Sequence, residues 1–438
     1  MTSSPAAPPS REVPISGRLR ALDGLRGIAA LVVVVHHALL LIPAMSLAQL
    51  DESAAGQPAT VWLLTHTPAH LVWAGEEAVL VFFVLSGFVL TLPAVGRPMR
   101  WRTYYPRRLV RLYLPVWGSV ALTGMLVLAV PRSTSPARSV SANNQARVEL
   151  SQAWHDVFLL PAAGAVNTPL WSLHWEVLFS LLLPAFLLLR LGARRALPLY
   201  AALLIAAVGV GTYAGIGALR YLPVFGLGVL LAFHRDLLED ARRWVDSRQH
   251  AGAWWVAALT VTVLLFTGRW IASGLPSGGP LLDALASGGV IVGALLVVVL
   301  ALVWAPGARA LERRAVQWLG ARSFSLYLVH LPVIFTLEFA FPTTAPRWVV
   351  IAVAIPTALV VTAVFFRLVE APSHRAARGM SALAGPSRPR APEAAQGRPA
   401  GPPEVPGRVI AVIPFPRPAA EPQPVTTSRP TTRRQRAS

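Results

Sequence analysis

Two ionisable side chains lie eleven residues apart in the first apolar segment of the chain: Arg26 at its start and His37 in its interior. At about 100° per residue, eleven residues complete about three turns, so both side chains share one helix face. The rise is ~16 Å, which places Arg26 near one membrane surface and His37 deep inside. A neutral imidazole there suits a general base. The spacing favours His37 over His36, which points about 80° away; the alternative is a histidine that only hydrogen-bonds a neighbouring helix.

A second basic pair, Arg108 and Arg111, follows the second apolar segment. At i and i+3 both side chains face one ligand if this stretch is helical. Guanidinium groups bind phosphate in a forked geometry, so the pair predicts an anion site. The alternative is the ordinary positive charge of a loop on the cytoplasmic side of a membrane.

Two polar residues inside later apolar segments are further candidates. Glu176 lies about six residues from the outer end of its segment, at a depth similar to that of His37, and predicts a carboxylate that orients the imidazole; a structural buried pair is the alternative. Ser86 precedes Gly87, and the pair lets helices approach closely. No G-x-S-x-G motif surrounds Ser86, so packing or a hydrogen bond is favoured over a nucleophile.

Composition sets the environment in which these residues act. The chain has 438 residues, of which 54% are hydrophobic and 13% charged, about half the charge of a soluble domain. It contains no cysteine, which excludes disulfides, thiolate metal sites and a cysteine nucleophile. The net charge of +19 comes from arginines that are scattered between apolar segments. This distribution predicts the lipid bilayer as a partner and does not predict nucleic acid.

The fold class predicted is an all-α polytopic membrane protein with about ten transmembrane helices and both termini cytoplasmic. With this topology the inner loops carry 17 arginines and the outer loops 6, as the positive-inside rule requires. A short amphipathic helix is expected at 234–250. The predicted spans are 25–43, 77–93, 112–131, 170–189, 196–213, 219–233, 252–270, 284–305, 323–341 and 348–367.

Three regions are expected along the chain. Residues 1–17 form a disordered N-terminal segment, and 18–370 form the transmembrane domain. Residues 371–438 are rich in Pro, Ala and Arg without helical periodicity, which predicts a disordered cytoplasmic tail.

In order and spacing, these motifs resemble the integral-membrane acyltransferase-3 family, whose members O-acylate glycans and related acceptors. An arginine followed eleven residues later by a histidine, and an R-x-x-R element after the second helix, are features of that family. Here His174 and Trp175 stand where the family more often has Ser and Val. The resemblance is to the stand-alone type and rests on five segments: Leu22–His37, Phe82–Phe88, Arg107–Arg111, Leu170–Glu176 and Ser323–Pro332.

The resemblance implies a membrane O-acyltransferase in the bacterial cytoplasmic (inner) membrane, with acyl-CoA, most simply acetyl-CoA, as co-substrate and no metal. His37 and Glu176 are then the catalytic candidates, and Arg26, Arg108 and Arg111 bind the donor. The acceptor expected is a hydroxyl of a cell-surface or exported polysaccharide; the alternatives are a small molecule such as a macrolide sugar, or a non-enzymatic transporter or flippase for an anionic solute. The candidate supporting residues are Asp23, Ser86, Trp171, Ser172, Tyr327 and His330.

Overall fold

The protein is an all-α polytopic membrane protein. A computed structural model describes residues 15–50, 56–191, 194–274 and 280–383, and within these ranges the chain forms helices and loops without a strand. All ten predicted spans fall on helices. They are α1 (Ile15–Leu39), α2 (Gly75–Thr91), α3 (Trp101–Ala129), α4 (Leu170–Phe186), α5 (Leu197–Tyr213), α6 (Gly217–Phe233), α7 (Ala251–Phe266), α8 (Pro280–Val303), α9 (Ser323–Ala340) and α10 (Arg347–Phe365).

Two of these helices differ from a simple span. In the described part of the chain, 8 helices are long and apolar enough to cross a bilayer. The α6 helix meets that test only together with Arg235–Asp246, from which it is bent by 71°, and α7 has 16 residues. Arg235–Asp246 is the helix expected at 234–250. The side of the membrane on which each terminus lies remains a prediction.

The boundaries of the membrane domain differ from those predicted. The first helix already begins at Ile15. At the other end, α10 continues through a π-helical turn, Phe366–Glu370, into a helix that ends at Leu383. The expectation of disorder from residue 371 was therefore wrong as far as Leu383, because the segment packs against α3 and gains tertiary contacts that its composition does not reveal. Residues 1–14 and 384–438 lie outside the described ranges.

Glycines set the closest helix contacts. A Cβ added to Gly87 on α2 would lie 2.0 Å from the carbonyl oxygen of Phe225, and one on Gly228 of α6 would lie 2.1 Å from that of Val84. Only glycine permits this backbone approach within the membrane. It is the close helix contact predicted from the Ser86-Gly87 pair. The contact fixes α2, and with it Ser86, against α6.

The α4 helix begins inside the bundle rather than at its surface. The carboxylate of Asp156 accepts four backbone N–H hydrogen bonds of 2.6–3.0 Å from the loop at 164–167. Asn167, at the end of this loop, donates its side-chain amide to the carbonyl of Leu328, 3.0 Å away in the interior of α9. The loop therefore enters the bundle, and the first turn of α4 lies at the depth of Leu328.

Candidate active site

Two of the cavities lined by described residues each contain one end of the Arg26–His37 face of α1. The arginine cavity, of about 240 Å³, is lined by Arg26, Arg108 and Arg111. The histidine cavity, of about 430 Å³, is lined by His36 and His37. Asp23, one of the candidate supporting residues, also lines the arginine cavity.

The imidazole of His37 is held by two neighbours. Its Nδ1 atom lies 3.0 Å from the carbonyl oxygen of Val33 and 3.2 Å from Nε2 of His330. His330 is fully buried, and its own Nδ1 lies 3.0 Å from the carbonyl of Leu326. The partner of His37 is therefore a second histidine on α9.

These contacts assign the tautomers, which follow from the hydrogen-bond network. A carbonyl only accepts, so Nδ1–H of His330 donates to Leu326 and leaves its Nε2 as an acceptor. Nδ1–H of His37 then donates to Val33 and is shared with His330. The Nε2 atom of His37 consequently carries a lone pair, as a general base requires.

His36 makes different contacts. Its Nδ1 lies 2.8 Å from the carbonyl of Trp73, and its ring stacks on that indole at a centroid distance of 5.4 Å. A Cβ added to Gly75 would lie 2.5 Å from the His36 ring. His36 therefore packs the start of α2 against α1, although it also borders the histidine cavity.

The three cavity arginines are not equivalent. Arg108 donates from Nη2 to Oε1 of Glu176 at 2.5 Å and from Nε to the hydroxyl of Ser180 at 3.2 Å. Within the described ranges, the side chains of Arg26 and Arg111 make no hydrogen bond or ion pair. Two guanidinium groups therefore face the arginine cavity with their donors available, while the third is fixed by a carboxylate.

Glu176 does not take the place that the sequence suggested. It lies in the arginine cavity and accepts hydrogen bonds from Arg108 and from the hydroxyl of Ser86, 3.0 Å away. The expected position beside His37 assumed that α4 begins at the membrane surface, whereas it begins within the bundle. Ser86 donates to the carboxylate that Arg108 also binds and contacts no described histidine, which is consistent with a hydrogen-bonding role.

Val79 and Tyr327 line both cavities, so the two cavities are neighbours with these two side chains between them. The Tyr327 hydroxyl lies 2.7 Å from that of Ser172, which borders the arginine cavity. Trp171, one residue earlier, borders the histidine cavity. The first turn of α4 thus contributes one side chain to each cavity.

Two residues that the sequence did not single out, Glu370 and His374, also line the arginine cavity. Glu370 accepts hydrogen bonds from the backbone N–H of Ser325, at 3.0 Å, and from its hydroxyl. Glu370 ends the π-helical turn after α10, a feature frequent at functional sites. Glu370 could have been recognised in the sequence as a candidate site residue, because it is an acidic residue directly after an apolar run.

The histidine cavity also holds charged and aromatic residues that the sequence did not assign to a site. Glu76 and Glu77 border it from the start of α2. Tyr221, Arg220 and Arg269 also line it. Among the described residues, no group of His, Asp and Glu could hold a metal ion.

Comparison with known proteins identifies the family to which the chain belongs. The family model described as an acyltransferase domain, Acyl_transf_3, matches residues 19–367, most of the chain. The chain belongs to the acyltransferase-3 family. Arg26, His37 and both cavities lie within the matched acyltransferase-3 region.

A curated relative agrees with this assignment. The chain is 28% identical over 336 residues to the acyltransferase MdmB of Streptomyces mycarofaciens, an alignment that covers 72% of this chain and 79% of the relative. No solved structure matches the chain. Membership of the acyltransferase-3 family supports an acyl-transferring membrane enzyme and not the transporter considered from sequence.

Proposed function

We propose that the protein transfers an acyl group, acetyl in the simplest case, from acyl-CoA to a hydroxyl of a carbohydrate acceptor. The observation that carries the proposal is the pair of neighbouring cavities that share Val79 and Tyr327 in their linings. One offers guanidinium groups to an anionic donor, and the other offers an imidazole base to a hydroxyl. A reaction between substrates that arrive from opposite sides of a membrane needs such an arrangement.

The donor would bind in the arginine cavity. Arg26 and Arg111 would bind the phosphates of CoA in charge-assisted hydrogen bonds. Arg108 would add its charge while Glu176 holds it in place. The rise of ~16 Å from Arg26 to His37 matches an extended pantetheine arm, which would pass Tyr327 and bring the thioester to the histidine cavity.

His37 would then act as the general base. Its Nε2 would take the proton of the acceptor hydroxyl as the hydroxyl oxygen attacks the thioester carbonyl carbon. The carbon–sulfur bond would break, and CoA would leave as a thiolate that takes the same proton from His37. The products would be an ester and free CoA. Throughout, Nδ1–H of His37 keeps its bonds to Val33 and His330, which fix the ring plane.

We place the enzyme in the bacterial cytoplasmic (inner) membrane, with the arginine cavity on the cytoplasmic side where acyl-CoA is made. The arginine distribution supports this orientation. An acceptor at the opposite face fits a cell-surface or exported polysaccharide. A small glycoside such as a macrolide sugar is the second candidate, since the histidine cavity falls within the size range of small-ligand pockets, ~300–1,000 Å³.

The test is release of free CoA from acetyl-CoA by the full-length protein in nanodiscs, with and without bacterial envelope extract. The proposal predicts acetyl-CoA binding and CoA release that the extract accelerates, with the acyl group recovered as an ester in the extract. Folded protein that neither binds acetyl-CoA nor releases CoA with extract present would overturn it. Transfer of the acyl group to an amine would contradict the hydroxyl acceptor.

A further inference from the structure

A third cavity, of about 300 Å³, is a groove at the surface of the bundle between α10 and the short helix Arg314–Ala321. Its walls are the indole of Trp318 and four aliphatic side chains of α10: Leu359, Val360, Ala363 and Val364. Val360 and Val364 are 64% and 51% exposed, so this wall faces away from the core. Because α10 is a membrane span, the groove is open to the acyl chains of the bilayer.

One end of the groove carries hydrogen-bond donors. Arg367, four residues after Ala363 in the π-helical turn that follows α10, lines the groove and is exposed. Within the described ranges, its side chain makes no hydrogen bond or ion pair. The indole N–H of Trp318 has no hydrogen-bond partner in the same ranges. A guanidinium and an indole N–H are therefore available at the end of an otherwise aliphatic groove.

Arg322 joins the two sides of this end. Its guanidinium carbon lies 4.6 Å from the centre of the Trp318 ring and 4.9 Å from the centre of the Phe366 ring. Its Nη1 also donates to the carbonyl oxygen of Trp318 at 3.2 Å. A cation between two rings thus connects the short helix to the π-helical turn and fixes the shape of the groove there. The charge of Arg322 adds to that of Arg367 at the same end.

This combination indicates the class of the ligand. The aliphatic wall favours an acyl chain, because a chain buries apolar surface along it. A free phosphate would meet Arg367 but would leave the wall unused, and a zwitterionic headgroup would bring a quaternary ammonium beside two guanidinium groups. An anionic lipid fits both ends, because its phosphate accepts from a guanidinium in a charge-assisted hydrogen bond while its chain follows the wall.

We propose that this groove binds one anionic glycerophospholipid, with an acyl chain against Val360 and Val364 and its phosphate on Arg367 and the indole N–H of Trp318. None of the described residues that line the groove lines the arginine or the histidine cavity. The lipid site is therefore separate from the candidate active site and does not depend on the proposed function. It lies at the arginine-cavity end of the bundle, because Glu370, in the same π-helical turn as Arg367, lines that cavity.

The experiment titrates the full-length, delipidated protein in detergent with three probes: phosphatidylglycerol, phosphatidylcholine with the same palmitoyl and oleoyl chains, and the chain-free headgroup glycerophosphoglycerol. Native mass spectrometry counts bound ligands and protein copies. We expect one phosphatidylglycerol to bind about fivefold or more tightly than phosphatidylcholine. Equal affinity for the two lipids would overturn the inference, as would equally tight binding of the chain-free headgroup. A wild-type dimer that excludes the lipid would assign the groove to a second copy instead.

Variants then test the two ends of the groove. Arg367→Gln should weaken phosphatidylglycerol binding about fivefold and bring it close to that of phosphatidylcholine. Val360→Trp fills the groove from an exposed position without a change in charge and should weaken both lipids. Arg190→Gln, at an exposed arginine after α4 and outside the groove, is the matched control and should bind as the wild type.

Two results with these variants would overturn the site. Unchanged lipid affinity in both Arg367→Gln and Val360→Trp would show that the lipid binds elsewhere. A loss in Arg190→Gln as large as that in Arg367→Gln would show a general effect of surface charge and no defined site. Circular dichroism of each variant checks that the helical content is retained.

Discussion

The Nε2 atom of His330 faces Nδ1 of His37 at 3.2 Å, so two neutral imidazoles from α9 and α1 meet where a histidine–carboxylate pair was expected. Nδ1–H of His37 shares its hydrogen bond between the carbonyl of Val33 and Nε2 of His330. The contact with His330 limits rotation of the His37 ring. A carboxylate at this depth would carry a buried charge, whereas a second imidazole orients the base without one. His330 is thus a positioning residue for His37.

Replacing His330 tests this role. His330→Leu should lower kcat roughly 10- to 100-fold, because a base that is displaced by about 1 Å loses its reaction geometry. The KM for acetyl-CoA should stay unchanged, since His330 does not line the arginine cavity. Steady-state kinetics on folded protein give the result. A rise in donor KM with normal kcat would instead indicate a general packing defect.

The second prediction separates donor binding from catalysis. Arg111→Ala should raise the KM for acetyl-CoA about 10- to 100-fold, the loss expected for one charge-assisted hydrogen bond of about 1.5–3 kcal/mol. With acetyl-pantetheine, which lacks the nucleotide phosphates, the same variant should match the wild type. Arg107→Ala, on the same helix but outside the cavity, is the control. Equal losses with both donors would contradict a phosphate contact.

The third prediction concerns Glu176, which pairs with Arg108 although the sequence placed it beside His37. Glu176→Gln should lower the free energy of unfolding by about 2 kcal/mol, because a charge-assisted hydrogen bond is weakened. The variant should also bind acetyl-CoA more tightly, since the arginine cavity loses one negative charge. Thermal denaturation and donor titration measure the two effects. Loss of kcat as large as that of a His37 variant would show that Glu176 belongs to the base instead.

The fourth prediction concerns the loop that delivers α4. Asp156→Ala removes a carboxylate that accepts four backbone N–H groups. We expect a loss of about 2–3 kcal/mol in stability and lower activity, because unpaired buried donors are costly and the first turn of α4 holds Trp171 and Ser172. Thermal shift assays of Asp156→Ala and of Glu149→Ala, an exposed neighbour, provide the comparison. Equal melting temperatures would contradict the anchoring role.

Much of the fold could be predicted from hydropathy alone. Each of the ten apolar runs coincides with a helix of the described ranges, because a chain in lipid must satisfy its backbone groups within each span. The Arg26–His37 spacing likewise assigned both side chains to one face, since helix geometry is local. Tertiary contacts decided the rest: the depth of Glu176 depends on Asp156 and Asn167, which hold α4 inside the bundle.

Three further features also depended on contacts that a single sequence does not display. His330 and His37 are 293 residues apart in the chain, so no local period links them. Glu370 enters the arginine cavity through a π-helical turn that an apolar pattern does not encode. The helix up to Leu383 forms where composition predicted a disordered tail, because packing can outweigh weak local propensity.

The central claim is that His37 is the base for acyl transfer, and one comparison tests it most directly. The acetyl-CoA-dependent rate of ester formation would be measured for wild type, His37→Gln and His174→Gln, a histidine variant outside both cavities. We predict that His37→Gln lowers the rate by about 10²- to 10⁴-fold while acetyl-CoA binding is retained, and that His174→Gln behaves as wild type. A His37→Gln protein that transfers the acyl group at the wild-type rate would contradict the account.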